Sequence, residues 1–208
     1  MSDWKSALPD KHIYFETENG ILYKGDALEI LTTIPDGCVD LVITDPPYLI
    51  NYKTNHRKDK NHRFRRPIEN DSNEQILQFI PLIYRKLKDN TAVYIFGSWK
   101  TVDVFKPVIE EYFNLRNIIT WLKNNWTAGD LEAQYGQQTE IIYYANKGRA
   151  VMRSGKRLTD VWHVNRVAVW EPCTYKQKNS VMVYNKTMKK SYDGQVVVVS
   201  LRCEGRNC

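Results

Sequence analysis

The sequence predicts an α/β fold with a doubly wound, mostly parallel sheet. Three observations carry that expectation. First, "GILYKGDALEILTTIPDGCVDLVITDPPY" reads as strand, turn, helix, turn, strand, and a β-α-β unit of that length implies parallel pairing. Second, the alternation continues with a helical pattern and a second buried-strand pattern, "TAVYIFGSW". Third, Val39, Leu41, Val42 and Ile43 form the continuous apolar run of a strand buried on both faces.

Taken in order, Leu22 and Tyr23 lie in a strand that ends at Gly25, which suits a tight turn. Ala27, Leu28, Ile30 and Leu31 recur at helical spacing, and "PDG" breaks the chain before the next strand. That strand runs into Asp45, Pro46, Pro47 and Tyr48. The prolines lack backbone donors and fix φ, so the strand stops there with Asp45 extended. Open α/β sheets place ligands at such carboxyl-end tips.

A helix is expected from about Ser72 to Lys88, with Ile76, Leu77, Ile80, Ile83, Tyr84 and Leu87 as its apolar face. After "TAVYIFGSW", a second helix starts near Thr101, and Pro107 either shortens it or marks its first turn. "LRNIITWLKN" and "TEIIYYANKG" read as strands separated by the polar "NWTAGDLEAQYGQQ". Beyond about Arg149 regular structure is hard to place, and "YDGQVVVVSL" reads as one strand.

At 208 residues the chain suits one domain, or one domain with a small appendage. The net charge of +6 permits a polyanionic partner without requiring one. No apolar run approaches the roughly 20 residues of a membrane span. The polar N-terminus, "MSDWKSALPDKH", lacks the pattern of a secretory signal. A soluble, intracellular protein is therefore expected. Cys38, Cys173, Cys203 and Cys208 show no metal-type spacing and read as free thiols. Cys38 is placed in a turn beside the strand at Val39. His56 and His62 read as polar loop residues, and no metal site is expected.

"TDPPY" resembles the catalytic tetrapeptide of the DNA amino-methyltransferases that modify adenine N6 or cytosine N4. "YKGDALEILTTIPDGCVDLVITDPPY", followed in order by "YIFGSW", "IITWLKNN", "TEIIYYANKG" and "LTDVW", resembles the β-group of that family over roughly residues 20 to 165. The resemblance implies a Rossmann-like methyltransferase sheet, S-adenosyl-L-methionine as cofactor and double-stranded DNA as partner. It further implies a bacterial or phage-encoded cytoplasmic enzyme of restriction-modification or host-defence evasion, with a cognate restriction endonuclease as a possible companion. The family's Asp-bearing tetrapeptide goes more often with adenine and a Ser-bearing one with cytosine, so the expected reaction is adenine-N6 methylation.

The chemistry gives these residue types a reason. An exocyclic amino group is a weak nucleophile because its lone pair is delocalised into the ring. Two acceptors holding its hydrogens, the Asp45 carboxylate and the Pro46 carbonyl, localise that pair by positioning and electrostatics. Pro47 stiffens the tip, and Tyr48 offers a flat face to a base extruded from the duplex.

Asp26 resembles a family position near the cofactor's adenosyl group, and it equally suits a helix N-cap. With Asp45, Gly97 and Ser98 it makes up the expected cofactor set. Gly97, Ser98 and Trp99 either border the pocket or form an ordinary strand-to-helix turn. Lys53, Arg57, Lys58, Lys60, Arg63, Arg65 and Arg66 read as a phosphate clamp directly after the tip, with Phe64 a candidate stacking residue beside them. Asn125, Trp126 and "EAQYGQQTE" lie where the family often lines its target-base pocket, and Trp126 equally suits a core.

The resemblance breaks after "DVW". "EPCTYKQKNSVMVYNKTMKKSYDGQVVVVSLRCEGRNC" stands where the family has a further helix, a strand and a glycine-rich cofactor loop. The expectation is a catalytic domain over residues 1–165 and a divergent or truncated segment over residues 166–208. Three origins fit: truncation or frameshift, which the cysteine-ending tail favours; a second polypeptide supplying the rest; or a divergent C-terminus doing the work differently. The competing functional readings are an inactive DNA-binding remnant and a cytosine-N4 enzyme.

Overall fold

The computed structural model describes residues 5, 6, 8–18, 20–51, 72–126, 132–150, 158–164, 180–185 and 195–200. The strands are β1 (Ile13–Thr17), β2 (Gly20–Lys24), β3 (Val39–Thr44), β4 (Leu87–Gly97), β5 (Asn114–Leu122), β6 (Thr139–Lys147), β7 (Val161–His163), β8 (Ser180–Asn185) and β9 (Gln195–Ser200). The α-helices are α1 (Ala27–Thr33), α2 (Phe79–Lys86) and α3 (Val102–Tyr112). The nine strands form one mixed sheet in the order β1-β2-β8-β9-β3-β4-β6-β5-β7.

The β-α-β-α-β succession β2-α1-β3-α2-β4 falls where the apolar runs placed it. β3 lies in the middle of the sheet, parallel to β4 on one side and to β9 on the other. None of its residues is exposed, and four of the six are apolar, as befits a strand covered on both sides of the sheet. β8 is antiparallel to both β9 and β2, so β2 runs parallel to β3 with two strands between them.

Several local expectations need correction. The helix expected to begin near Ser72 opens with a 3₁₀ segment, Glu74–Gln78, and α2 ends at Lys86. Leu87, assigned by spacing to the helix face, is instead the first residue of β4 and pairs with Val39. An apolar side chain suits both periodicities at such a junction. Pro107 neither shortens the second helix nor starts it. It lies inside α3 on the exposed face, where the lost hydrogen bond and the ring both meet solvent. β1, β7 and β8 lacked a sequence signal. β1 is an edge strand with four of its five residues exposed, so it carries no alternation.

α1, α2 and α3 pack side by side and bury one face of the sheet. Ile30, Leu31, Phe79, Ile80, Ile83, Phe105 and Ile109 meet Val39, Val42, Val93, Ile95, Tyr143 and Ala145 there. Alternation along β4 and β6 sends Tyr94, Phe96, Ile142 and Tyr144 to the opposite face, where they cluster with Ile119, Trp121 and Trp162. Cys38 precedes β3 as expected, and its thiol donates to the Pro35 carbonyl at 3.1 Å. Among the described residues there is no metal-type cluster, and no helix is long and apolar enough to cross a membrane.

Two tyrosines on the helix side make the fold sensitive to alkali. Burial pushes the phenols of Tyr23 and Tyr143 up to about 12, aided by Asp10 and Glu16 at Tyr23 and by Asp103 at Tyr143. Neither hydroxyl has a partner among the described residues. Because the folded values are raised, the stability they contribute is complete below the ordinary value of 10.0 and is lost as pH rises toward about 12. The urea midpoint is expected to fall over that window. The fall should be smaller in Tyr143→Phe, measured side by side with the parent protein.

Candidate active site

Register places the functional tip. Thr44 of β3 pairs with Val199 of β9 and Ile95 of β4, so Asp45 leaves the sheet level with Ser200 and Phe96. Lys24, at the end of β2, is level with Ser180, which pairs with Ser200. β5 runs parallel to β4, through the antiparallel β6 between them, and β7 is parallel to β5. One edge of the sheet therefore collects Gly25 and Asp26, Asp45 to Tyr48, Gly97 to Thr101, Lys123 to Trp126, and Val164. This is the carboxyl edge of the parallel strands, the usual ligand site of α/β sheets.

At that edge Pro46 and Pro47 are buried, and Asp45 and Tyr48 are partly exposed. The Tyr48 hydroxyl donates to Asp45 Oδ1 at 2.7 Å. The Tyr48 carbonyl in turn accepts a hydrogen bond from Thr101 Oγ1 at 2.8 Å. The chain then turns sharply, with Leu49 at φ 59° and Asn51 at φ 47°. Positive φ is uncommon for a residue such as leucine and persists only where the surroundings impose it. The four residues are thus a braced acceptor platform, stiff by proline and tied by two hydrogen bonds.

The expected cofactor residues come to the same edge, each with a second occupation. Asp26 caps α1: its Oδ1 accepts from the amides of Leu28 at 2.8 Å and Glu29 at 3.4 Å. Oδ2 takes part in neither bond, and Asp26 as a whole is exposed just past the end of β2. Ser98 is buried, and its Oγ accepts from the Lys100 amide at 3.3 Å, capping the 3₁₀ turn Trp99–Thr101. Gly97 is explained by packing. A Cβ there would lie 2.7 Å from Cε2 of Tyr143, whose ring is fully buried. Sequence offered a glycine at a strand end, but the reason for it sits on β6.

Trp126 is 68% exposed, which excludes the core reading. It lies at the edge with Asn125, Trp99 and Tyr135, all exposed. Its segment is tied down by paired bonds: the Lys123 amide donates to the Gln138 carbonyl at 3.0 Å, and Gln138 Nε2 to the Lys123 carbonyl at 2.8 Å. Trp121 Nε1 donates to the Val164 carbonyl at 3.1 Å, fixing the end of β7 against β5. The basic residues Lys53, Arg57, Lys58, Lys60, Arg63, Arg65 and Arg66, together with Phe64, lie outside the described residues.

Thr101 was missed by sequence reasoning as more than a helix start. It stands at the N-cap position of α3 but makes no side-chain cap bond, since its hydroxyl is turned to Tyr48. Nothing local in the sequence signals a contact that spans 53 positions.

The chain is similar to known DNA methyltransferases. The Type II methyltransferase M2.MboI of Moraxella bovis is 26% identical over 184 residues, covering 76% of this chain and 66% of that protein. M2.LlaDCHI of Lactococcus lactis subsp. cremoris is 27% identical over 175 residues, covering 72% and 63%. The chain thus spans about two thirds of the length of these relatives. Among solved structures, the PvuII DNA methyltransferase, titled cytosine-N4-specific, aligns with a TM-score of 0.58 at 17% identity, covering 77% of this chain and 62% of that one. At that identity the likeness is one of fold, and it is a Rossmann-like methyltransferase fold. The DNA methylase (N6_N4_Mtase) family matches residues 39–199, from β3 with its Asp-Pro-Pro-Tyr tip through most of β9. By that match the chain belongs to the N6/N4 DNA methylase family, whose methyl donor is S-adenosyl-L-methionine.

Proposed function

We propose that this chain carries the catalytic platform of an S-adenosyl-L-methionine-dependent DNA methyltransferase acting on the exocyclic N6 of adenine. The observation that carries the reading is the braced Asp45-Pro46-Pro47-Tyr48 tip at the carboxyl end of the central strand. The named relatives are Type II methyltransferases, which supports methylation within a restriction-modification pair. It also supports a bacterial, cytoplasmic setting with duplex DNA as substrate.

The residues at the edge suit their roles. An Asp45 oxygen and the Pro46 carbonyl accept the two amino hydrogens of the target base and hold its nitrogen with the lone pair localised. Pro47 keeps that carbonyl from swinging away. In the protein alone Tyr48 already donates to Asp45 Oδ1, and because each carboxylate oxygen can accept more than one hydrogen bond, an arriving amino group can bind without breaking that bond. Asp45 also receives the proton that the nitrogen sheds.

For the cofactor, Asp26 Oδ2 fits as an acceptor of sugar hydroxyls, and the backbone at Gly97 and Ser98 borders the same edge. The bound cofactor supplies a methyl group on a positively charged sulfur. Lys53, Arg57, Lys58, Arg63, Arg65 and Arg66, which follow the tip in sequence, are assigned to DNA phosphates.

The test is transfer of labelled methyl from S-adenosyl-L-methionine to methylation-free bacterial DNA, followed by nucleoside analysis. N6-methyladenine is the expected product. N4-methylcytosine would keep the mechanism and overturn the substrate. No label, with no cofactor binding by calorimetry, would make the chain a non-catalytic DNA-binding relative of the enzymes.

A further inference from the structure

The contact between Thr101 and Tyr48 has features that helix formation does not require. A threonine at an N-cap position ordinarily accepts a hydrogen bond from an amide of the first helical turn. Thr101 holds that position at the start of α3 and forgoes the bond. Its hydroxyl donates instead to the Tyr48 carbonyl at 2.8 Å, joining the ends of β3 and β4 across the sheet edge. Thr101 is only 7% exposed, so water does not readily replace that donor.

The carbonyl it holds belongs to the peptide plane that sets φ of Leu49, one of the left-handed residues after the tip. The same residue's hydroxyl reaches Asp45 Oδ1 at 2.7 Å. A continuous line of bonds therefore runs from Thr101 through the Tyr48 backbone and ring to the carboxylate.

We propose that Thr101 is a positioning residue for methyl transfer. Its hydroxyl fixes the Tyr48 peptide, and with it the ring and the orientation of the Asp45 carboxylate. The inference rests on the assignment of methyl transfer to Asp45. It predicts an effect on the chemical step and not on cofactor affinity, because Thr101 approaches the tip and not the Asp26 end of the edge.

The test compares Thr101→Val, which keeps the shape and removes the donor, with Thr101→Ser, which keeps the donor. Since Thr101 makes no cap bond, valine leaves α3 its existing hydrogen bonds. Single-turnover methyl transfer at saturating DNA and cofactor is expected to slow about tenfold in Thr101→Val, as small misplacements of reacting groups do. The cofactor Kd should stay within about twofold, and Thr101→Ser should return the rate to within about threefold of the parent. In parallel, hydrogen exchange of the Tyr48 to Asn51 amides should speed about tenfold in the valine protein alone.

Unchanged transfer in Thr101→Val would overturn the proposal, as would a rate loss matched by weaker cofactor binding or left unrescued by serine. If the parent protein transfers no methyl, the functional reading fails separately. The exchange measurement then still decides whether Thr101 holds the tip, and unchanged exchange would overturn it.

Discussion

Asp45→Ala is expected to lower the rate of methyl transfer by about a thousandfold or more while leaving the fold close to that of the parent. The size follows from what the side chain does. On the proposed mechanism Asp45 is one of two acceptors that localise the nucleophile's lone pair, and it is the base for the departing proton. Removing it takes both contributions away from the same nitrogen. Structural damage should be small, because the carboxylate is partly exposed and the tip keeps its prolines and the Thr101 bond. Asp45→Asn separates the two contributions. Its amide oxygen still accepts from the Tyr48 hydroxyl and from one amino hydrogen, but it carries no charge and takes no proton. A loss of about ten- to a hundredfold is expected, between the parent and alanine. Alanine and asparagine falling equally would point to charge as the whole contribution. Alanine retaining the parent rate would remove Asp45 from the mechanism. The measurement is single-turnover transfer, with cofactor Kd from calorimetry as the control.

Gly97→Ala is the change expected to damage the structure most for its size. The added methyl would sit 2.7 Å from Cε2 of Tyr143, closer than such atoms approach. The ring has nowhere to retreat, since it is fully buried and stacked on Phe105 with the centroids 6.3 Å apart and the planes at 12°. Relieving the overlap means moving β4 or the ring, at a cost of about 1–3 kcal/mol. Moving β4 also moves Ser98 and Thr101, so the tip should be disturbed with it. The check is urea denaturation of a double-mutant cycle. Gly97→Ala should cost clearly less in a Tyr143→Ala background, because the opposing atom is gone. Tyr143→Phe should give no relief, since it retains Cε2. Equal costs in all three backgrounds would show that glycine serves some purpose other than the close approach of Tyr143.

The sequence made some parts of this molecule legible because their signals are local. The turn at Gly25, α1, the break at "PDG" and the abrupt end of β3 at two prolines need only neighbours along the chain, and each was found where expected. The tip's position at a sheet edge followed from the same reasoning. What escaped depends on distant residues. β1 is an exposed edge strand that has no period to detect, and β7 is only three residues long. "QVVVVS" could be read as a strand, but not as the one lying against β3. Asp26 and Ser98 illustrate a different limit, because cap and ligand contact ask for the same residue type at a strand-to-helix junction. Both side chains do make cap bonds. Gly97 and Thr101 acquired their meaning only when Tyr143 and Tyr48 were placed beside them.

The sheet order has a consequence for how the molecule comes to be. β3 is completed on one side by β4, soon after it in the chain, but on the other by β9, with Leu41 facing Val196 and most of the chain between them. During synthesis at about 5–20 residues per second, β3 waits on the order of ten seconds for its second neighbour. Throughout that wait a gap two strands wide stands open between β2 and β3, and both bordering strands show unpaired backbone to any other chain nearby. Closing a loop of that length is slow, so the nascent protein stays open to aggregation at this edge until β9 pairs with β3.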